Sequence, residues 1–474
     1  MFKSFFWDFF SKISTQLIGF IVSIFLTRLL LPEEFGIMGI ALVVISFSAI
    51  FVDLGFGKAI IQQKEITDAQ LSTIFFLNLA ISFFFTLIVF FLAHPAAIFF
   101  RLPRLEMVLK VISVSFIFYG LNVVPTALLY RKMNFRVISI ISIVAVLLSG
   151  IIGVYMAMNG YGVWSLVAQN LVAGFLTFFL TFLYLKWLPQ FIIIISQVRA
   201  MWKYSSRLFV SALLDTTFTR IDVFLIGRIF SPATLGYYTR AQSMDGVIRQ
   251  ISSSSIVSVL FPYISREQSN TEKVRELYMR YLHIISFVAF FLSGFLYVCT
   301  DSIFVILFTS KWTEAAALFK IMTIAAFVYP VSALMVSILS ARGNSKAFLK
   351  AEIIKKGIIL PVYLFGFFIG LHGFVYCLAG AYILALSVNA LFVKKEISVP
   401  VQVQLKIVLQ YGLISAGIVL LMYLLKSIFL TGVAWEELTL QALAFSFLFI
   451  LFHAVSGTQG YSVIFKKVKA SIKK

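Results

Sequence analysis

Apolar blocks recur along this chain from end to end, each long enough to cross a hydrocarbon layer of roughly 30 Å as a helix. Short polar stretches separate them. The pattern predicts fourteen spans, near residues 12–31, 36–57, 71–98, 106–129, 135–157, 162–185, 204–229, 234–262, 280–308, 315–340, 347–369, 373–393, 404–425 and 438–456. Ahead of the first, "MFKSFFWDFFSKIS" sets Phe2, Phe5, Phe6, Phe9, Phe10 and Ile13 at helical spacing, with Lys3, Asp8 and Lys12 as polar interruptions. That spacing predicts a short helix in the membrane interface feeding the first span, and no cleavable signal peptide is expected.

One piece of punctuation occurs twice. "RLLLPEEFG" carries Arg28, Pro32 and Gly36, and "RIFSPATLG" repeats the spacing as Arg228, Pro232 and Gly236. Each copy closes one span and opens the next, the first and second in one case and the seventh and eighth in the other. Six spans separate them, and an even number preserves orientation, so the pattern predicts parallel repeats about an axis along the membrane normal. "GVWSLVA" from Gly162 and "GFVYCLA" from Gly373 open the sixth and twelfth spans in the same way. The expected fold is all-α and polytopic: a lobe over 1–200, a second over 201–400, and two further spans with a basic tail over 401–474. In the motif itself, Arg complements a helix C-terminus, Pro starts a helix where its missing N–H costs nothing, and Gly eases the turn. A direct substrate role for Arg28 stands as the alternative.

Composition agrees: 61% of the 474 residues are hydrophobic and 12% charged, yet the net charge is +20. Such a charge on a soluble fold would suggest nucleic acid. Here most of the Lys and Arg fall at the two termini and in alternate loops, which places both termini in the cytoplasm. The "KKVKASIKK" tail then meets anionic lipid rather than nucleic acid. Cys299 and Cys377 lie in apolar stretches, and His94, His283, His372 and His453 are scattered without metal-ligand spacing. The loops opposite the basic side are too short for a catalytic domain, so a transporter is expected, with no catalytic residue and no metal.

Five stretches carry a family resemblance: "TRLLLPEEFGIMGIA" from Thr27, "DLGFGKAIIQ" from Asp53, "YGVWSLV" from Tyr161, "DVFLIGRIFSPATLGYYTRAQSM" from Asp222 and "LFPYISREQ" from Leu260. Through them the chain resembles the Wzx-type polysaccharide flippases, in a superfamily that also holds the MATE multidrug exporters and the MurJ lipid II flippases. It is most similar to the colanic acid and teichuronic acid exporter subgroup, over spans one to about twelve. The resemblance implies a monomer in the bacterial inner membrane. It would move a polyprenyl-diphosphate-linked oligosaccharide to the outer leaflet by alternating access, for surface polysaccharide or lipopolysaccharide biosynthesis. Membrane lipids, a polysaccharide polymerase and other assembly proteins are the implied partners.

Ionisable groups inside spans are expensive, so their positions are informative. The seventh span carries Asp215, Arg220 and Asp222, and the eighth Arg240, Asp245 and Arg249. Counting ~1.5 Å per residue from the turn at Ser231 puts Arg220 and Asp245 about 16–17 Å deep and Arg249 and Asp215 about 22–24 Å deep. Two readings follow: the acids and arginines lock two helices together, or Arg220 and Arg249, with Arg240 nearer the outer mouth, receive a diphosphate whose oxygens match the guanidinium fork. Asp215, Asp222 and Asp245 are then counter-ions or proton or sodium sites; no other cofactor is expected. In the first half, Lys58 and Asp53 either greet the headgroup at the inner mouth or pair with each other. Two competing functions remain open: an ion-coupled drug or cation exporter of the same fold, and a membrane glycosyltransferase or polymerase.

Overall fold

Helices form wherever the apolar blocks run, because a backbone N–H or C=O in hydrocarbon finds no water and must be bonded within its own segment. The computed structural model describes residues 2–267, 270–425, 429 and 431–472; side chains at 2–6, 8–9, 195, 197–200, 203–204, 250–263, 345 and 466–472 are not described. The expected apolar positions Phe2, Phe5, Phe6 and Phe9 and the lysines of the tail therefore lie outside the described side chains.

The first elements are α1 (Phe2–Leu29), α2 (Pro32–Asp53), α3 (Phe56–Gln62), α4 (Asp68–Phe100), α5 (Pro103–Ile112), α6 (Ser115–Arg131), α7 (Phe135–Met158) and α8 (Val163–Leu185). A long polar hairpin follows, α9 (Ile195–Ile229) and α10 (Pro232–Arg266). The remainder is α11 (Thr271–Phe308), α12 (Thr313–Ile324), α13 (Val328–Ala341), α14 (Ser345–Phe365), α15 (Gly370–Ile397), α16 (Val401–Leu424), α17 (Ala434–Val455) and α18 (Gln459–Ile472). Among the described residues, 11 stretches are long and apolar enough to cross a membrane. One of them, Lys346–Ile397, holds both α14 and α15, and the polar α9 and α10 fall outside the set. Dividing the first and adding the other two recovers the fourteen expected spans. The N-terminal segment does not form a separate helix: α1 runs unbroken from Phe2, with neither Pro nor Gly before Gly19 to interrupt it.

By its internal contacts the chain separates into two compact units, Met1–Thr239 and Arg240–Lys474. In the first, Phe56, Ile60, Ile74, Phe75, Val124 and Leu128 build a buried core among α3, α4 and α6. In the second, Tyr278, Leu282, Val331, Leu334, Leu386 and Tyr411 join α11, α13, α15 and α16. The Tyr278 hydroxyl donates to Gln404 Oε1 at 2.7 Å, while Gln404 Nε2 donates to the carbonyls of Val399 and Ala390. Large apolar side chains such as Phe91, Ile151, Leu413, Leu443 and Phe447 stay exposed, as lipid-facing positions should.

The repeated motif has a tertiary meaning. The first turns of α2 and α10 cross so closely that a Cβ on Gly36 would lie 1.9 Å from the Pro232 carbonyl oxygen, and a Cβ on Gly236 would lie 1.8 Å from the Pro32 carbonyl oxygen. Each glycine thus receives the other copy's proline carbonyl. Converging helix N-termini concentrate partial positive charge, and Glu34 offsets it: its Oε2 accepts the Leu31 N–H at 2.8 Å. The same carboxylate abuts the start of α8, where a Cβ on Gly162 would meet Oε1 at 2.3 Å. The second copy is capped by Ser231, whose Oγ accepts the Thr234 N–H at 3.2 Å.

A second motif breaks a helix. In "DLGFG" the chain passes through positive φ at Leu54 (45°) and Gly55 (79°), ending α2 four residues before the span predicted from the sequence. Asp53 Oδ1 accepts the Gly57 N–H at 2.9 Å and so starts α3. Arg131 closes the other end, donating from Nη1 to the Ile60 carbonyl at 2.9 Å and from Nη2 to the Lys64 carbonyl at 2.7 Å.

Gly36→Ala and Gly236→Ala are each expected to destabilise the protein by about 1–3 kcal/mol, the usual cost of overpacking. Gly19→Ala, with no atom within 4 Å of its added Cβ, is expected to leave stability unchanged. Thermal melts in detergent compare the three, and wild-type melting of both motif variants would contradict the close crossing.

Candidate functional site

The charged groups of α9 and α10 meet their surroundings in three ways: hydrogen bonds, an ion pair and ring stacking. Asp222, buried, accepts the Tyr238 hydroxyl on Oδ2 at 2.7 Å and the Val223 N–H on Oδ1 at 2.7 Å. Tyr238 lies on α10, so this carboxylate ties the two arms of the hairpin together. Asp245, 1% exposed, pairs one helical turn on with Arg249: its Oδ2 stands 2.7 Å from Nε and 2.5 Å from Nη2. The Arg249 guanidinium also lies 4.0 Å from the Tyr329 ring centre and 5.7 Å from that of Tyr382, on α13 and α15. Arg240, buried, stacks over Phe308 of α11 at 4.0 Å, where the ring's negative face replaces part of the lost hydration.

Arg220 differs from all of these. It is half-buried and forms no ion pair, hydrogen bond or ring stacking with the described residues. It borders a cavity of about 430 Å³ whose other walls are Ile40, Val43, Val44, Phe47 and Ser48 of α2, Phe85, Ile88, Val89 and Phe100 of α4, and Thr217, Ile221 and Phe224 of α9. A cation in such surroundings carries its desolvation cost without a carboxylate to offset it. An anion reaching Arg220 therefore displaces no counter-ion, whereas one reaching Arg249 competes with Asp245. In this respect Arg220 differs from Arg249, whose guanidinium already holds a carboxylate.

The remaining expected site residues are dispersed. Asp215 is exposed; its backbone carbonyl accepts the Thr219 hydroxyl at 2.6 Å, and its carboxylate is not within ion-pair distance of Arg220. Arg28 is exposed at the end of α1, while its repeat partner Arg228 stacks 4.9 Å over Phe99. Lys58 is exposed, and Asp53 spends one carboxylate oxygen on the helix break described above. No group of three or more His, Cys, Asp or Glu among the described residues is arranged to hold a metal. Sequence reasoning missed Phe308, Tyr329 and Tyr382, the aromatic partners of the arginines. They lie far along the chain, and no local pattern marks them.

The sequence profile of the family described as "Polysaccharide biosynthesis protein" matches residues 25–317. Relatives include the succinoglycan biosynthesis transport protein ExoT of Rhizobium meliloti, 26% identical over 309 residues, and the lipopolysaccharide biosynthesis protein WzxC of Escherichia coli, 23% identical over 366. The first alignment covers 65% of this chain and 63% of that protein, the second 75% and 73%. The chain thus matches less than two thirds of the length of the succinoglycan relative. Among solved structures, the fold is that of the lipid II flippase MurJ in an inward closed conformation, with a TM-score of 0.76, 14% identity, and coverage of 94% of this chain and 98% of that one. It is also that of an inward-facing MATE-family multidrug transporter, with a TM-score of 0.63, 13% identity, and coverage of 81% and 94%.

Removing Arg249 alone strands the buried Asp245 carboxylate. Arg249→Ala is expected to cost about 3–5 kcal/mol, and Asp245→Asn with Arg249→Met together to cost clearly less than Arg249→Ala alone. Melting curves for the single and double variants measure this, and a double variant no more stable than Arg249→Ala would refute the pairing as the source of the cost.

Proposed function

We propose that this chain, which belongs to the polysaccharide biosynthesis protein family, is a flippase that carries a polyprenyl-diphosphate-linked oligosaccharide from the cytoplasmic to the outer leaflet. The single observation that carries the site assignment is Arg220: a guanidinium well inside the membrane, without a carboxylate partner among the described residues, beside an apolar hollow. Intramembrane charges held this way usually mark a substrate path. A diphosphate matches the guanidinium fork and needs no metal to be neutralised. Arg249, by contrast, already holds the Asp245 carboxylate, so an anion could reach it only by exchange with Asp245.

Support also comes from the relatives' names, a succinoglycan biosynthesis transport protein and a lipopolysaccharide biosynthesis protein, and from a fold shared with a lipid II flippase. The multidrug exporters of the same fold prompt a second reading, but a cation with no carboxylate partner among the described residues repels a cationic drug. The protein is a multi-pass membrane protein; we assign it to the bacterial cytoplasmic membrane with both termini in the cytoplasm, the side on which its Lys and Arg collect. A ligand shifts such a transporter between inward and outward states only by binding one of them better, and Arg220 is where we place that preference.

Arg220→Ala is expected to reduce outer-leaflet delivery of the lipid-linked oligosaccharide at least tenfold while leaving the protein folded, and Arg220→Lys to retain part of it. Pairing Arg220→Ala with Arg249→Met and Asp245→Asn should abolish delivery. The check is accumulation of the lipid-linked intermediate on the cytoplasmic side of cells carrying each variant. Wild-type delivery by the triple variant would defeat the assignment.

A further inference from the structure

We infer that the hollow between α2, α4 and α9 seats the isoprenoid segment nearest the diphosphate of the cargo while the diphosphate itself meets Arg220. This rests on the function proposed above and adds a chain-binding subsite to it. About 430 Å³ lies within the range of small-molecule sites. The walls that matter most are Val44, Phe47, Phe85, Ile88 and Phe224, all apolar, and Arg220 is the one ionisable residue that lines it. An occupant must therefore be largely hydrocarbon and carry a single anionic end.

Depth chooses among such amphiphiles. Arg220 lies about 16 Å from the turn that joins α9 to α10, counted at ~1.5 Å per residue, close to the middle of a layer roughly 30 Å thick. A resident phospholipid keeps its phosphate at the headgroup level, and drawing that charge to the midplane is costly. A lipid in transit between leaflets must bring its anion to this depth. Its chain then needs apolar walls beside the anion, and the hollow supplies them. The lining residues of α2 run from Ile40 to Ser48, about 12 Å of helix at the same rise, so the seat accommodates the stem of a polyprenyl chain and leaves the remainder in the bilayer.

The experiment uses the full-length protein in nanodiscs and a geranylgeranyl diphosphate analogue with a diazirine on the isoprene unit next to the diphosphate. Crosslinked peptides are expected from α2, α4 and α9, with excess phosphatidylglycerol failing to compete. Filling the hollow by Val44→Trp, or independently by Thr217→Phe, should weaken probe binding at least tenfold in protein that melts like wild type, as should Arg220→Gln. Crosslinks confined to other helices would overturn the inference, as would equal competition by phosphatidylglycerol, which would make the hollow a phospholipid site. If the filled variants deliver oligosaccharide normally while Arg220→Ala does not, the subsite is wrong and the flippase stands. If wild-type protein moves no lipid-linked oligosaccharide, the proposed function falls and this inference with it.

Discussion

The contact on which this architecture turns is the crossing of two helix starts at Gly36 and Gly236. Within a membrane, lipid is as apolar as leucine, so helices gain little from hiding side chains and gain mainly from close packing. Two backbones that approach until each proline carbonyl occupies the space of the other's absent Cβ use that source fully. The spacing Arg, Pro, Gly is repeated because the two copies are each other's partners. The approach also brings positive helix ends together, and the Glu34 carboxylate and Ser231 hydroxyl are the local answer to that charge.

The same hairpin carries the polar chemistry, and its groups divide by how their charge is met. Asp222 is spent on Tyr238, a buried contact that joins α9 to α10, and Asp245 on Arg249, one turn along α10. Arg240 and Arg228 rest on phenylalanine faces. These arrangements make an internal polar helix pair tolerable in hydrocarbon. Only after they are set aside does Arg220 stand out, and its position beside an apolar hollow joins, in one place, what an amphiphilic anion needs.

Much of this was legible in the sequence. Span positions follow from the length of apolar blocks, a local property, and the two polar spans that hydropathy alone passes over are revealed by their flanking motif. The Asp245–Arg249 pair follows from its spacing of four on one helix. The break at Leu54 was not legible: "DLGFG" sits in an apolar block whose length reads straight through it, and what decides the break is Asp53 capping α3 against α9, where a Cβ on Gly55 would meet the Ser205 carbonyl at 2.6 Å.

By itself, then, the sequence determined an all-helical chain of repeated apolar spans and the place of its helix-breaking motifs, since transfer into hydrocarbon is set residue by residue. Tertiary structure alone decided which of several equivalent arginines is without a carboxylate or ring partner among the described residues. Arg220, Arg240 and Arg249 lie within thirty residues of one another and look alike on paper; rings contributed by other helices meet the last two, Arg249 also pairs with Asp245 on its own helix, and the first faces a hollow. Burial and ring contacts belong to packed neighbours distant in sequence, and no local pattern specifies them.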